Sequence, residues 1–179
     1  MLLLRSYTRA DREGCVALFD SNVPAFFAPA ERASFVDYLD DDVVREGIQE
    51  LVLVDGDRII ACGGLGLRDG EARMCWGIVH RERHGQHLGD LLLLTRLVLG
   101  AQAGANRGGL DTIPAVTTFF ARKGFVVTRA EDDHYGPGIH RRDMELPLTE
   151  ATVATLRAEL ARLLLTCGVE VAPDVGLSL

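Results

Sequence analysis

The residues best placed to do chemistry lie where a strand passes through a glycine-bearing turn into a leucine-rich helix. The strand ends at Val79, and the turn that follows reads His84-Gly85-Gln86-His87-Leu88-Gly89. Backbone N–H groups in the first turn of a helix lack intrahelical partners, and together with the helix dipole they favour an anion such as a pyrophosphate. Because Gly85 and Gly89 have no Cβ, the main chain can approach such a ligand closely. The pattern predicts an anion-binding turn.

Basic side chains surround this turn, although the chain as a whole is acidic. The formal net charge is −7, yet basic residues crowd around the turn at His80, Arg81, Arg83, His84 and His87. Their charge suits an anionic ligand, and a solvated basic turn is the alternative. The three histidines would align on a helix and hold zinc, but a helix that began at His80 would cut into the preceding strand. We therefore predict no metal site.

A second segment, from Ala115 to Phe125, reads as a short helix closed by a glycine and followed by a strand. The two segments together resemble the GNAT superfamily of acyl-CoA-dependent N-acyltransferases. The cofactor loop of that family reads arginine, two variable residues, glycine, one variable residue, and then glycine or alanine. Here the Gly85–Gln86 pair, Gly89 and the valine strand match, while His84 replaces the arginine and His87 replaces the middle glycine.

The second segment is similar to the family's later motif, in which an alanine and an aromatic pair precede Gly-Phe. Phe120 stands where many members carry tyrosine. The resemblance covers residues 1–148 and implies that acetyl-CoA, or a related thioester, is the co-substrate. It implies cofactor contacts from Val79, from Phe119 and Phe120, and from His84, Gly85, Gln86, His87, Leu88 and Gly89.

The elements predicted along the chain fit an α/β (α+β) fold with a GNAT-like mixed, mostly antiparallel central sheet flanked by helices on both faces. Strands are predicted at residues 2–6, 51–54, 58–67, 71–79, 108–113, 125–129 and 142–148, and helices at 11–20, 29–39, 88–103, 114–123 and 149–165. This order is that of the family. Independently, a meander followed by βαβ units implies a mixed sheet with helices on its faces.

Two features of these elements concern their ends. Asp11 and Thr149 are placed to cap the helices that follow them. Residues 149–179 lie beyond the region of resemblance, and their amphipathic helix packs either on the same domain or on a second subunit, which makes a homodimer one alternative. Residues 166–179 read as a loosely held tail.

Transfer of an acyl group from a thioester to an amine needs a neutral amine, stabilisation of the oxyanion, and departure of a thiolate. A free alkylamine has a pKa near ~10.4, so a base must take its proton, whereas a thiol of pKa about 8.5 leaves with little help. The resemblance implies a backbone N–H donor to the oxyanion near the end of the fourth strand, at Ile78 or Val79. Gly77 suits the bulge that would expose this donor.

The resemblance implies Glu71 as a base, with an exposed carboxylate beside a turn as the alternative. His134 is a better acid or base than Glu71 by its ordinary pKa. Tyr135 can replace the tyrosine that many family members carry at the position of Phe120. The loop that holds them also offers Asp133 to receive an amine, unless it is an ordinary hairpin connection.

In the amino-terminal third of the chain, Phe26 and Phe27 lie in a proline-bounded loop, where the family builds its acceptor pocket. They are predicted to form a wall of the substrate site or part of the core.

Composition narrows the function classes. With 179 residues, 47% of them hydrophobic, the chain can form one domain with a substantial core. The acidic balance excludes a nucleic-acid partner, and no apolar stretch predicts a signal peptide or a membrane span, so a cytoplasmic protein with reduced cysteines is expected.

The sequence therefore predicts an N-acetyltransferase that transfers the acetyl group directly to a small-molecule or peptide amine within a ternary complex. A catalytically idle sensor of acyl-CoA is the alternative, because the base is undefined and Phe120 replaces a tyrosine.

Overall fold

Apolar strand segments and two glycine turns make the first half of the sheet an antiparallel meander. The computed structural model describes residues 1–179. Its first four strands are β1 (Leu2–Ser6), β2 (Gln49–Asp55), β3 (Arg58–Arg68) and β4 (Glu71–Val79), and each pairs antiparallel with the next. The tight turns before β3 and β4 place Gly56 at φ +59° and Gly70 at φ +75°, which a residue without a Cβ adopts at low cost.

The second half adds β5 (Arg107–Thr112), β6 (Val126–Glu131), β7 (Arg141–Pro147) and β8 (Val169–Val171). The strand order across the sheet is β6-β7-β5-β4-β3-β2-β1-β8. Only β4 with β5 and β1 with β8 are parallel pairs. The β4–β5 pairing extends only from Glu71–Arg107 to Arg73–Gly109, and the two strands have no further ladder contacts. This divergence opens the sheet at its centre.

Helices cover both faces of the sheet and enclose two cores. On one face lie α1 (Arg12–Asp20), α2 (Glu31–Asp37), a π-helical turn (Tyr38–Asp42) and α3 (Val43–Arg45). On the other lie α4 (Leu88–Gln102), α5 (Pro114–Ala121) and α6 (Glu150–Cys167), with the buried leucines of α4 at the centre of the larger core. The predicted fold class is confirmed: the sheet is mixed and mostly antiparallel, with helices on both faces.

The carboxyl-terminal residues differ from their prediction. Residues 166–179 are not a loose tail, because β8 pairs with β1 and Val175 is buried within the core. The Gln49 side chain donates a hydrogen bond to the Val175 carbonyl at 2.9 Å. A three-residue strand is too short to show periodicity in the sequence. The pairing with the edge of β1 is what stabilises β8. Helix α6 packs against α4.

The two predicted helix caps have different outcomes. Thr149 caps α6, since its Oγ1 accepts the Thr152 N–H at 3.2 Å. The prediction that Asp11 caps α1 was wrong, because its side chain makes no capping hydrogen bond to that helix. Its carboxylate instead accepts the Thr8 N–H at 2.7 Å and forms a two-bond ion pair with Arg5, because a short 3₁₀ turn at Arg9–Asp11 precedes the helix.

The four cysteines are free thiols, and Cys15 and Cys62 are buried. None of the helices combines the length and the apolar character needed to cross a bilayer.

Candidate active site

A cavity of about 900 Å³ occupies the centre of the molecule where β4 and β5 separate. Its lining comes from β4, α4, β5 and α5, from α2, the π-helical turn and the segment before β2, and from the loop after α1 and the loop between β6 and β7. Most lining side chains are apolar and a few polar groups converge among them, which is typical of a small-molecule site. The opening therefore brings together segments that are distant in the sequence.

The predicted anion-binding turn, of which His84 and Gly89 line the cavity, exposes a run of main-chain donors. The backbone N–H groups of residues 85–90 have no hydrogen-bond partner, since Leu91 is the first residue of α4 whose N–H is bonded, to the His87 carbonyl. Gly85 has φ +76°, and His87, just before the helix, has φ +60°. His87 thus adopts the left-handed conformation that the glycine of the resembling loop favours. The turn keeps its shape despite that substitution.

His84, which replaces the arginine of the resembling loop, ties the turn to the end of β4. Its Nε2 lies 2.9 Å from the Val79 carbonyl oxygen, and its ring meets the edge of Phe26 at a centroid distance of 5.1 Å. The same carbonyl accepts a hydrogen bond from Asn22 Nδ2 at 3.0 Å. These two contacts hold the position of Val79 relative to the turn.

The basic side chains around the turn are largely paired with acids, so the local positive charge is smaller than the sequence suggested. The Arg83 guanidinium contacts Asp55, and His87 Nδ1 lies 3.0 Å from Asp90 Oδ2. Burial and the nearby Arg58 charge lower the pKa of His80. Because these charges are engaged, the unpartnered N–H groups are the main feature that favours an anion.

A bulge interrupts β4 where the thioester was expected. Cys62 pairs with Ile78 and Gly64 pairs with Cys75, so two residues of β4, Trp76 and Gly77, lie opposite one residue of β3. Trp76 has φ +40°, an uncommon value for a residue with a side chain. The bulge redirects the end of β4 toward the cavity.

Hydrogen-bond alternation distinguishes the two candidate oxyanion donors. The His80 N–H donates to the Ile60 carbonyl at 2.8 Å. In an antiparallel ladder the backbone N–H groups of alternate residues point to the partner strand. The N–H of Ile78 therefore also points to β3, and the N–H of Val79 points away from it. The N–H of Val79 therefore points to the side where β4 and β5 have separated.

The structure separates the other predicted catalytic residues. Glu71 lies where β4 and β5 are still paired, with its carboxylate 3.4 Å from the Arg107 guanidinium, and does not line the cavity. His134 also lies outside the lining, and its Nδ1 is 3.1 Å from Glu131. Tyr135 does line the cavity. Its hydroxyl donates to Asp111, and burial, followed by that contact, raises the pKa of Tyr135 well above its ordinary value.

The predicted substrate residues are also divided. Asp133 lies outside the lining, and its carboxylate accepts the Gly138 N–H at 2.6 Å, which is a contact local to the loop. Phe26 and Phe27 both line the cavity. Phe27 stacks on Phe19 at 4.9 Å and lies 6.0 Å from the Trp76 ring. The two phenylalanines of the loop therefore serve core and cavity together.

The predicted aromatic pair of α5 lines the opposite side of the cavity. A Cβ added to Gly89 would lie 3.7 Å from the Phe119 ring, so this ring packs directly against the start of α4. Phe120 meets Phe125 edge to face at 5.9 Å. Both rings are half-buried and close the cavity beside the turn.

Sequence reasoning missed three polar residues in the wall of the cavity or directly behind it: Tyr38, Glu50 and Arg96. Glu50 is 3% exposed and Arg96 is 4% exposed. A signal for both existed. Glu50 shares a strand face with the apolar Val52 and Val54, and Arg96 lies inside a run of leucines, so each occupies a position where the pattern calls for an apolar residue.

No protein-family model and no curated protein sequence matches the chain. Solved structures do match. An inferred acetyltransferase of the GNAT family from Desulfovibrio desulfuricans aligns with a TM-score of 0.73 at 17% identity, over 83% of this chain and all (100%) of that one. The ribosomal-protein-S18-alanine N-acetyltransferase of Escherichia coli aligns at 0.68 and 17%, over 83% of this chain and 95% of that one.

A third structure, the PaiA N-acetyltransferase of Thermoplasma acidophilum in complex with coenzyme A, aligns with a TM-score of 0.64 at 16% identity, over 82% of this chain and 99% of that one. This chain therefore has the fold of the GNAT N-acetyltransferases, as the sequence resemblance implied.

Proposed function

We propose that this GNAT-fold protein transfers an acetyl group, or a related acyl group, from acyl-CoA directly to an amine. The observation that carries the proposal is the run of unpartnered N–H groups at residues 85–90, which reaches a 900 Å³ cavity at Gly89. Those donors suit the pyrophosphate of coenzyme A, and the opening between β4 and β5 suits its extended arm. Acyl-CoA supplies the activated acyl group.

The residues that would hold the cofactor are assigned by their place around this opening. The turn from His84 to Gly89 binds the pyrophosphate through its main chain, while Phe119 and Phe120 flank it. The Val79 N–H faces the separated side of β4 and stabilises the oxyanion that develops on the thioester carbonyl. A main-chain donor of this kind typically contributes a few kcal/mol to lowering the barrier.

The departing sulfur receives its proton from Tyr135 in this scheme. Tyr135 lines the cavity, and because burial raises its pKa it gives up its proton only while it receives another. Its hydroxyl contacts Asp111, which holds it in place. Tyr135 thus takes the part that the tyrosine expected at Phe120 has in the resembling family.

Transfer is direct, within a ternary complex, and passes through no acyl-cysteine. Cys75 is the thiol that lines the cavity. Burial raises its pKa to about 11, and its Sγ contacts only the Arg73 carbonyl. A nucleophilic cysteine needs a lowered pKa or an adjacent base, and Cys75 has neither.

The acceptor is an amine whose body packs against the aromatic side chains of the cavity. Phe27 and Trp76 line the cavity next to the bulge, and Phe26 lines it next to His84. A small-molecule amine or a peptide amino terminus fits this surface, and one protein of the same fold acts on the alanine of a ribosomal protein. Residues 1–148 form the transferase region, and residues 149–179 are an extension whose helix packs on α4.

The test is thiol release from acetyl-CoA in the presence of single amines: spermidine, kanamycin, lysine, tyramine and a peptide with an amino-terminal alanine. Release that depends on the amine supports transfer. Binding of acetyl-CoA without release by any amine would instead favour the idle sensor, for which the loss of the family tyrosine at Phe120 is the argument. Failure to bind acetyl-CoA in calorimetry would contradict both functions.

A further inference from the structure

A buried acid lies directly behind the wall of the cavity. Glu50 lies on β2, and its side chain is buried. Tyr38 covers this side chain from the π-helical turn after α2 and also lines the cavity. Tyr38 Oη donates a hydrogen bond to Glu50 Oε2 at 2.5 Å, while Glu50 Oε1 has no partner. A buried carboxyl with an unbonded oxygen costs free energy that an apolar residue would avoid. Its presence therefore calls for a reason other than stability.

Arg96 approaches the same place from the other side of the sheet. Its helix, α4, belongs to the larger core, whereas Tyr38 belongs to the smaller one. The guanidinium fills the gap at the β4 bulge, where Nη1 donates to the carbonyls of Gly64 and Cys75, each at 3.1 Å. A Cβ on Gly63 would lie 2.9 Å from this guanidinium. The glycine on β3 is thus what makes room for it.

We propose that Tyr38 and Glu50 form a proton relay that deprotonates the acceptor amine, with Arg96 as a positioning residue. The Tyr38 hydroxyl takes a proton from the ammonium group and hands its own proton to Glu50 Oε2. This inference rests on the proposed acyl transfer and supplies the base that it lacks.

The remaining steps balance the reaction. The neutral nitrogen forms a bond to the acyl carbon, and the carbon–sulfur bond breaks with its electron pair remaining on sulfur. The second amine proton passes to that sulfur through Tyr135. Glu50 returns its proton to solvent through Tyr38 once the amide has left, so each turnover releases one proton, one thiol and one amide.

Of Glu50 and the titratable groups that face it, the Glu50 carboxyl is the one that changes charge near neutral pH. Burial raises its pKa to about 8, against the opposing effects of the Tyr38 hydrogen bond and the Arg96 charge. Burial raises the pKa of Cys75 on β4 to about 11 and that of Tyr7, after β1, to about 12.

Cys62 on β3 also faces Glu50, and contact with Cys15 followed by burial raises its pKa well above the ordinary value. Both thiols and Tyr7 therefore remain neutral where Glu50 titrates. A base is most effective when its pKa lies near the working pH.

The carboxylates that line the cavity itself are engaged in other contacts. Glu31 accepts the Ala28 N–H at 2.7 Å. Asp42 and Glu46 both contact the Arg45 guanidinium at the surface. Asp111 receives the Tyr135 hydroxyl and pairs with Arg73. Glu50 differs from all of these because it is enclosed and has a free oxygen.

The experiment compares wild type with Tyr38→Phe and Glu50→Gln, and uses Tyr7→Phe as the matched control. Tyr7 packs against the same core, makes no side-chain hydrogen bond and lies outside the cavity lining. Thiol release is measured from pH 6 to pH 10 with acetyl-CoA and the most active amine of the panel. Acetyl-CoA affinity is measured in parallel by calorimetry.

The relay predicts that kcat falls about 100-fold or more in both test variants while acetyl-CoA affinity is unchanged. The wild-type rate should rise with pH up to about pH 8, and this rise should disappear in both. Tyr7→Phe should behave as wild type. Infrared spectra of wild type against Glu50→Gln should show the protonated carboxyl band of Glu50 disappearing with a midpoint near pH 8.

Three outcomes would overturn the relay. Wild-type kcat and an unchanged pH profile in Tyr38→Phe would exclude it while leaving acyl transfer intact. A midpoint near 4.5 for the Glu50 band would exclude it without reference to activity. No turnover of any amine by wild type would remove both the relay and the transfer that it serves.

Discussion

Replacing Gly89 by leucine is expected to block the cofactor, whereas replacing it by alanine is not. Gly89 is the second residue of α4, inside the run of unpartnered N–H groups. A Cβ there would lie 3.7 Å from Phe119 Cζ and 3.8 Å from Val79 Cγ2, which are ordinary contact distances. Gly89→Ala should therefore fit, and should stabilise the free protein by about 0.5–1 kcal/mol, because alanine loses less conformational freedom in a helix.

A leucine at the same position has no such room. Its additional carbons must lie over the exposed N–H groups or displace Phe119. Losing one hydrogen bond to a charged phosphate costs about 1.5–3 kcal/mol, which corresponds to a rise in the dissociation constant of roughly 10- to 150-fold. Gly89→Leu should show that rise for acetyl-CoA in titration calorimetry, whereas Gly89→Ala should bind close to wild type.

Ala151→Leu is the matched control, because Ala151 is the second residue of α6 and is exposed away from the cavity. It should leave acetyl-CoA affinity unchanged. If folded Gly89→Leu bound acetyl-CoA within twofold of wild type, the pyrophosphate could not lie on this turn, and the cofactor assignment would fail.

Three further predictions concern stability. Folding raises the Glu50 pKa from 4.5 to about 8, so wild type should lose on the order of 5 kcal/mol of stability as pH rises through this interval. Urea unfolding at pH 5 and pH 8 should show this loss in wild type and not in Glu50→Gln. Thr149→Ala removes the cap of α6 and should cost about 1 kcal/mol in thermal unfolding, whereas Thr149→Ser should not. Val175→Ala should cost about 2 kcal/mol because Val175 is buried, while Leu179→Ala, at an exposed position, should change little; equal and negligible effects would show that the tail is loose after all.

The sign of the Glu50 effect follows from linkage. Below pH 4.5 the carboxyl is protonated in both the folded and the unfolded chain. Between 4.5 and about 8 the unfolded chain ionises while the folded chain stays protonated, so ionisation favours unfolding. Above pH 8 both forms are ionised and the dependence levels off. If wild type and Glu50→Gln instead showed the same pH dependence over this interval, the carboxyl would already be ionised in the folded protein.

Burial of an acid beside a cavity also bears on how the site is built. Arg96 lies near Glu50 but makes no salt bridge with it, since its guanidinium is used by two carbonyls at the bulge. A direct ion pair would lower the pKa of the carboxyl and weaken it as a base. The spacing leaves Glu50 able to titrate, and the bulge that places Arg96 there is also the one that turns Val79 toward the cavity.

Local patterns were sufficient to predict most elements and one part of the site. The strand from Glu71 to Val79 has the predicted bounds, and α4 begins at the predicted Leu88. Glycines and helix-start signals act over a few residues, so the turn from His84 to Gly89 could be located from its local sequence. Where an element is too short to carry such a signal, as the three-residue β8 is, the prediction was wrong.

The pocket around that turn could not be derived in the same way. Glu71 was a candidate because of its strand, yet the β4–β5 pairing holds it at the closed end of the sheet, and only the register shows this. Tyr38 and Glu50 come from different elements and meet because β2 and the π-helical turn after α2 pack on one face.

The sequence by itself thus determined the sheet meander, the helices and the main-chain donors at residues 85–90, because each depends on neighbours along the chain. Only the tertiary structure decided which acid is enclosed behind the cavity and which strand end faces it. The physical reason is that burial and strand register are set by packing between distant segments, and burial in turn sets whether a carboxyl such as Glu50 can accept a proton near neutral pH.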